Sequence, residues 1–164
     1  MHALKIVLLI IALVLLIVSV ATPEWVTISL PGQESNSGLW EGCGGKPKVC
    51  TSNTPLSGIM DQDATINSVR SLALLSTVLV AFAILCCFMC KNKAPVMVLI
   101  CIALISCIST IGVAAGKLVP LVKTNLMAPN IPVKEGYSFW LQVAAACVLL
   151  LVFVMKLMVK GKKM

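Results

Sequence analysis

Four stretches of this chain are long and apolar enough to cross a bilayer as helix, which takes about 20 residues. No other feature restricts its fold as strongly. They run over Leu4–Ala21, Ser71–Cys90, Pro95–Gly116 and Phe139–Val159. Only 12% of the residues are charged, against about a quarter in water-soluble domains. What remains is too short and too divided for a separate soluble domain. Residues 1–164 therefore read as a single domain, a bundle of four transmembrane helices, with loop one over 22–70 and loop two over 117–136.

The first stretch has a second reading. Lys5, the run Ile6–Val18 and the small residues Ser19-Val20-Ala21 also fit a cleavable leader. Taken as a retained span, it makes the number of crossings even and puts both termini on one side. Charge then orients the bundle. Lys5, Lys91, Lys93, Lys156, Lys160, Lys162 and Lys163 share one face with no acid. The six remaining cations and the six acids share the other, so the whole net charge of +7 lies on one side. Short loops rich in lysine and arginine stay cytoplasmic. Both termini are thus expected in the cytosol of a plasma-membrane protein, and both larger loops outside. The basic balance suits an anionic inner leaflet and gives no reason to expect nucleic acid.

Loop one opens like a small sheet. In WVTISL, Val26, Ile28 and Leu30 alternate with Thr27 and Ser29, and Pro31-Gly32 then turns the chain. Ser37–Cys43 and Lys48–Asn53 are the next candidate strands, joined through Gly44-Gly45 and Pro47. From Asp61 or Asp63, either able to cap, the pattern becomes helical and leads into the second span, which should begin outside the bilayer. Cys43 and Cys50 are the only cysteines outside the apolar stretches. On an oxidising face a disulfide is the default. A zinc or redox site is the alternative, but the only histidine, His2, falls on the opposite face.

Trp25, then Gly38-Leu39-Trp40, then Cys43 and Cys50 give the order W…GLW…C…C. This resembles the extracellular-loop signature of the claudin and peripheral-myelin-protein superfamily, which includes lens fibre membrane proteins and channel-regulatory gamma subunits. Arg70 in INSVRSLALL and the phrase GYSFWLQVAAA (136–146) also match that superfamily's pattern. The resemblance covers the full length. It implies a claudin-like fold: four transmembrane helices under a small extracellular antiparallel β-sheet. There are departures. Fourteen residues separate Trp25 from Trp40 and six separate the cysteines, a compact loop beside typical claudins. The ending KGKKM lacks the terminal valine motif by which junctional claudins bind scaffolds.

The signature residues carry structural and functional readings together. Trp25 suits the membrane–water boundary and Trp40 an anchor from sheet to helix tops, with partner binding as the sharper alternative. By resemblance Arg70 ties helix to sheet; the alternative is a role in ion selectivity. Cys86, Cys87 and Cys90 beside Lys91 are candidates for palmitoylation, or simply pack. Cys101, Cys107 and Cys147 read as buried packing residues. Gly112–Gly116 is a GxxxG pair, read first as packing within the bundle and second as a dimer contact. Leu126, Met127, Ile131 and Val133 make loop two apolar: either a docking tip rimmed by charge or residues packed on their own sheet. The last five residues also fit a dilysine signal for retrieval to the endoplasmic reticulum, or a plain basic anchor.

No acid, proton relay or activated nucleophile falls within the spans. Transport or catalysis through the bundle is therefore not expected, nor is any cofactor. A four-helix thiol oxidoreductase of the vitamin K epoxide reductase kind would need Cys87/Cys90 to reach Cys43/Cys50. The assigned topology parts them by about 30 Å of hydrocarbon. The expected function is a junctional, adhesive or membrane-organising role, with homo-oligomers or another membrane protein as partner. Glu41, Lys46, Lys48, Asp61 and Asp63 are the candidate contact charges. The alternative is an auxiliary subunit of an ion channel or receptor.

Overall fold

The computed structural model describes residues 2–30, 33–44, 49–51, 64–89, 94–120 and 133–161. Helix α1 (His2–Ala21) has no glycine or proline. It ends where Pro23 cannot continue a helix, and Thr22 folds its amide and hydroxyl back on the Val18 carbonyl at 3.0 and 2.7 Å. Helix α2 (Ala64–Met89) has 26 residues, about 39 Å at 1.5 Å per residue. It is thus longer than a bilayer's hydrocarbon, and Asn67, Ser68, Arg70 and Ser71 sit in its first turns. Helix α3 (Ala94–Val113) runs on into one π-helical turn, Ala114–Leu118. Helix α4 (Tyr137–Gly161) completes the bundle. By length and composition all four can cross a membrane, over Ala3–Ala21, Ala64–Met89, Pro95–Leu118 and Tyr137–Met158.

Neighbouring helices pack in a ring: α2 on α3, α3 on α4, α4 on α1 and α1 on α2. Small residues at the contacts, including Ala12, Ala73, Ala83, Ala103 and Ala145, are fully buried, while Val, Ile and Leu crowd the outer surface. That inversion suits a lipid solvent, in which close backbone packing rather than apolar burial drives association. The buried apolar residues form two clusters. One fills the bundle between Leu9, Leu16, Val80, Ile100 and Leu149. The other lies at one end, where Trp25, Val26, Ile28 and Leu39 meet Ile66, Val69, Leu118 and Phe139.

Capping that end is a five-stranded antiparallel sheet: β1 (Val26–Leu30), β2 (Gln33–Ser37), β3 (Gly42–Gly44), β4 (Val49–Thr51) and β5 (Val133–Glu135), in the order β4-β3-β2-β1-β5. Val26 and Ile28 turn inward and Thr27 and Ser29 are half-buried, the alternation read in WVTISL.

Two differences from the sequence reading stand out. Ser37–Cys43 is not one strand: β2 ends at Ser37, and residues 38–41 turn, with the Gly38 amide donating to the Glu41 carbonyl at 2.8 Å. Leu39 leaves the sheet plane to fill the end cluster, so its apolar character reflects a plug rather than strand alternation. In addition, loop two supplies a strand. Val133 pairs with Ile28 and is buried, so it packs on its own sheet. Leu126, Met127 and Ile131 lie outside the described residues, as do Lys46, Lys48, Asp61, Asp63, Cys90, Lys91 and Lys93.

The candidate functional site at the sheet–helix junction

The junction is assembled from short-range bonds that join segments far apart in sequence. Trp25 follows the end of α1 and is almost fully buried. Its indole Nε1 donates to the Ser19 carbonyl at 2.8 Å. Its backbone amide donates to the Ser37 carbonyl, and its carbonyl accepts from the Gly136 amide, both at 2.9 Å. One residue thereby joins α1, β2 and the start of α4. The indole is packed in the end cluster, at the sheet end of the bundle, with its one polar atom satisfied by Ser19.

Trp40 is the tryptophan at the surface, 46% exposed. Its Nε1 donates to the Val20 carbonyl at 3.0 Å, tying the GLW turn to the last turn of α1. Arg70, two turns into α2, donates from Nε to the Leu39 carbonyl at 2.6 Å and reaches Asn67 Oδ1 at 3.4 Å from Nη1. Its guanidinium carbon stands 5.2 Å from the Trp40 ring centroid, within cation–π range. The turn is therefore held by α1 and α2 together.

Close backbone approach fixes two glycines. A Cβ on Gly38 would come within 2.3 Å of Pro23 Cα, and one on Gly136 within 1.9 Å of the Glu24 carbonyl oxygen. Gly136 opens the GYSFW phrase, the one hint the sequence held. Beside it Ser138 donates its amide to Glu24 (3.1 Å), accepts Ser19 Oγ at its carbonyl (2.8 Å) and shares a hydroxyl bond with Thr22 (2.7 Å). Sequence reasoning missed Ser19 and Ser138, since isolated serines near span ends look like ordinary solvated residues.

Cys43 and Cys50 form a disulfide and sit directly opposite each other on β3 and β4, which closes the outermost hairpin. On the same sheet Asn36 Nδ2 donates to Glu24 Oε1 at 2.6 Å. Glu41 is exposed at the turn.

Cys86 and Cys87 lie half-buried in the last turn of α2, at the end of the bundle away from the sheet. From Ala64 to Cys87 the helix rises about 35 Å, which sets Cys87 at the opposite end of α2 from the sheet that carries the Cys43–Cys50 bridge. Cys90, its partner in the CxxC reading, lies outside the described residues. Of the cysteines read as packing residues, Cys107 is buried and Cys101 half-buried, but Cys147 is exposed. The helical period turns Cys147 away from buried Ala145, Ala146 and Leu149. The glycine pair also differs from its first reading. A Cβ on Gly112 or Gly116 meets nothing within 4 Å, so neither glycine packs inside the bundle.

This geometry bonds and packs a small sheet onto the end of the four-helix bundle; among the described residues it groups no metal-binding set of histidine, cysteine or carboxylate side chains. Compared with known proteins, the chain matches the model of the PMP-22/EMP/MP20/Claudin family over residues 2–156. No curated protein matches it.

Proposed function

The chain belongs to the PMP-22/EMP/MP20/Claudin family, and from that premise we propose that it is a multi-pass structural protein of the plasma membrane, acting at cell–cell contacts. In this reading the ends bearing Lys5 and Lys156 face the cytosol by the positive-inside preference, and the sheet faces out. The observation that carries the proposal is that both loops supply one sheet, with β5 paired to β1, and that the sheet is bonded to α1, α2 and α4. A platform tied in this way loses little conformational freedom when it meets a facing surface. Its charged rim, of which Glu41, Lys134 and Glu135 are exposed, sets the selectivity of that contact.

Within the membrane a second surface serves side-by-side assembly. Ser109, Gly112, Ala115 and Gly116 are exposed near the sheet end of α3 and its π-helical turn. Small residues let a neighbouring helix approach closely. The same surface would accept a foreign helix, which keeps an auxiliary channel subunit as the second reading. Expression in non-adherent cells separates the two. A contact protein concentrates where expressing cells touch. Stoichiometric co-purification with a channel, without enrichment at contacts, would establish the auxiliary role instead.

A further inference from the structure

We propose that Ser76, Cys107 and Gln142 form a binding site for one internal water molecule between α2, α3 and α4. The three side chains are fully buried. Cys107 belongs to the apolar cluster of the bundle, and along their helices Ser76 and Gln142 fall between residues of that cluster and residues of the cluster under the sheet. Buried hydroxyls in this band have backbone partners on their own or a neighbouring helix. Ser76 donates to the Ala73 carbonyl at 2.8 Å, Ser106 to Leu72 at 2.9 Å and Thr110 to Ser106 at 2.8 Å. Ser76 also reaches the Cys107 thiol with its side chain.

Gln142 is different. Its amide nitrogen makes one long contact, 3.7 Å to Cys107 Sγ, and Oε1 has no hydrogen-bond partner. Turning the amide end for end does not cure this. Oε1 would then accept from the thiol, but both N–H donors would lose their acceptor. A carboxamide half-satisfied in a dry helix bundle is strongly disfavoured. The deficit calls for a small group that both donates and accepts. Water does so, and it needs two to four polar partners. Gln142 Oε1, the free lone pair of Ser76 and the weakly bonding Cys107 sulfur supply them. The site would set the register of α4 against α2 and α3 just below the sheet.

The test is a crystal structure of the whole protein in a lipid phase, at a resolution that shows ordered water. The expected result is a density peak about 3 Å from both Gln142 Oε1 and Ser76 Oγ. A structure in which no peak lies there overturns the proposal. Thermal unfolding of Gln142→Leu gives a second readout. With a bound water to strand, the variant melts lower than the parent. If the amide is merely an orphan, leucine relieves it, and a melting temperature equal to or above the parent's overturns the site.

Discussion

Arg70 and the carbonyl of Leu39 are joined across 31 residues by a 2.6 Å hydrogen bond, and that bond places the GLW turn on α2. A hydrogen bond from a charged donor contributes about 1.5–3 kcal/mol. Arg70→Ala is therefore expected to destabilise the protein by about that amount, the Trp40 stacking adding to it. Arg70→Lys should recover only part, since an ammonium has no planar fork to lie over Trp40 while bonding Leu39. Chemical unfolding in detergent, followed by Trp fluorescence, measures both.

The glycines make a sharper contrast. Gly136→Ala drives a methyl to within 1.9 Å of a backbone oxygen, so the chain itself must move. The expected loss is about 3 kcal/mol or more, at the upper end for overpacking. Gly38→Ala should behave similarly. Gly112→Ala meets nothing within 4 Å and should leave the monomer as stable or slightly more so, because alanine is the better helix former. Melting temperatures of the three variants give the order directly.

The Cys43–Cys50 bridge closes a short loop at the sheet's outer strands, remote from α1–α4 contacts. Reduction, or the double change Cys43→Ser with Cys50→Ser, should lower stability by roughly 2–3 kcal/mol. The helical signal in circular dichroism should stay unchanged at room temperature. Loss of helix on reduction would mean that the bundle leans on the sheet more heavily than its contacts imply.

Much of this architecture is legible in the residues. Four apolar runs, the Val26/Ile28 alternation and the isolated pair Cys43/Cys50 each report a local rule that the fold obeys. The misreadings share one cause, in that the deciding contacts are non-local. Leu39 looks like a strand residue until the bundle end it plugs is known. Val133-Lys134-Glu135 is too short to show alternation, and only pairing with β1 makes it a strand. In lipid the outside of a helix is as apolar as its inside. Periodicity therefore could not say that Gly112 and Gly116 face outward, that Cys147 does too, or that Gln142 faces in.

The outward face of α3 gives the test of lateral assembly. A helix that approaches Gly112 and Gly116 closely does so only while both positions lack side chains. Gly112→Leu with Gly116→Leu fills that groove from the outer face of α3, where an added Cβ at either position meets no other part of the chain within 4 Å. The monomer's melting temperature should therefore hold, while its partner's helix is kept off. Energy transfer between labelled copies in vesicles should show association weakened by about tenfold, the equivalent of about 1.4 kcal/mol. Unchanged transfer would move the assembly contact elsewhere, and the sheet's exposed edges, β4 and β5, would be the next surfaces to block.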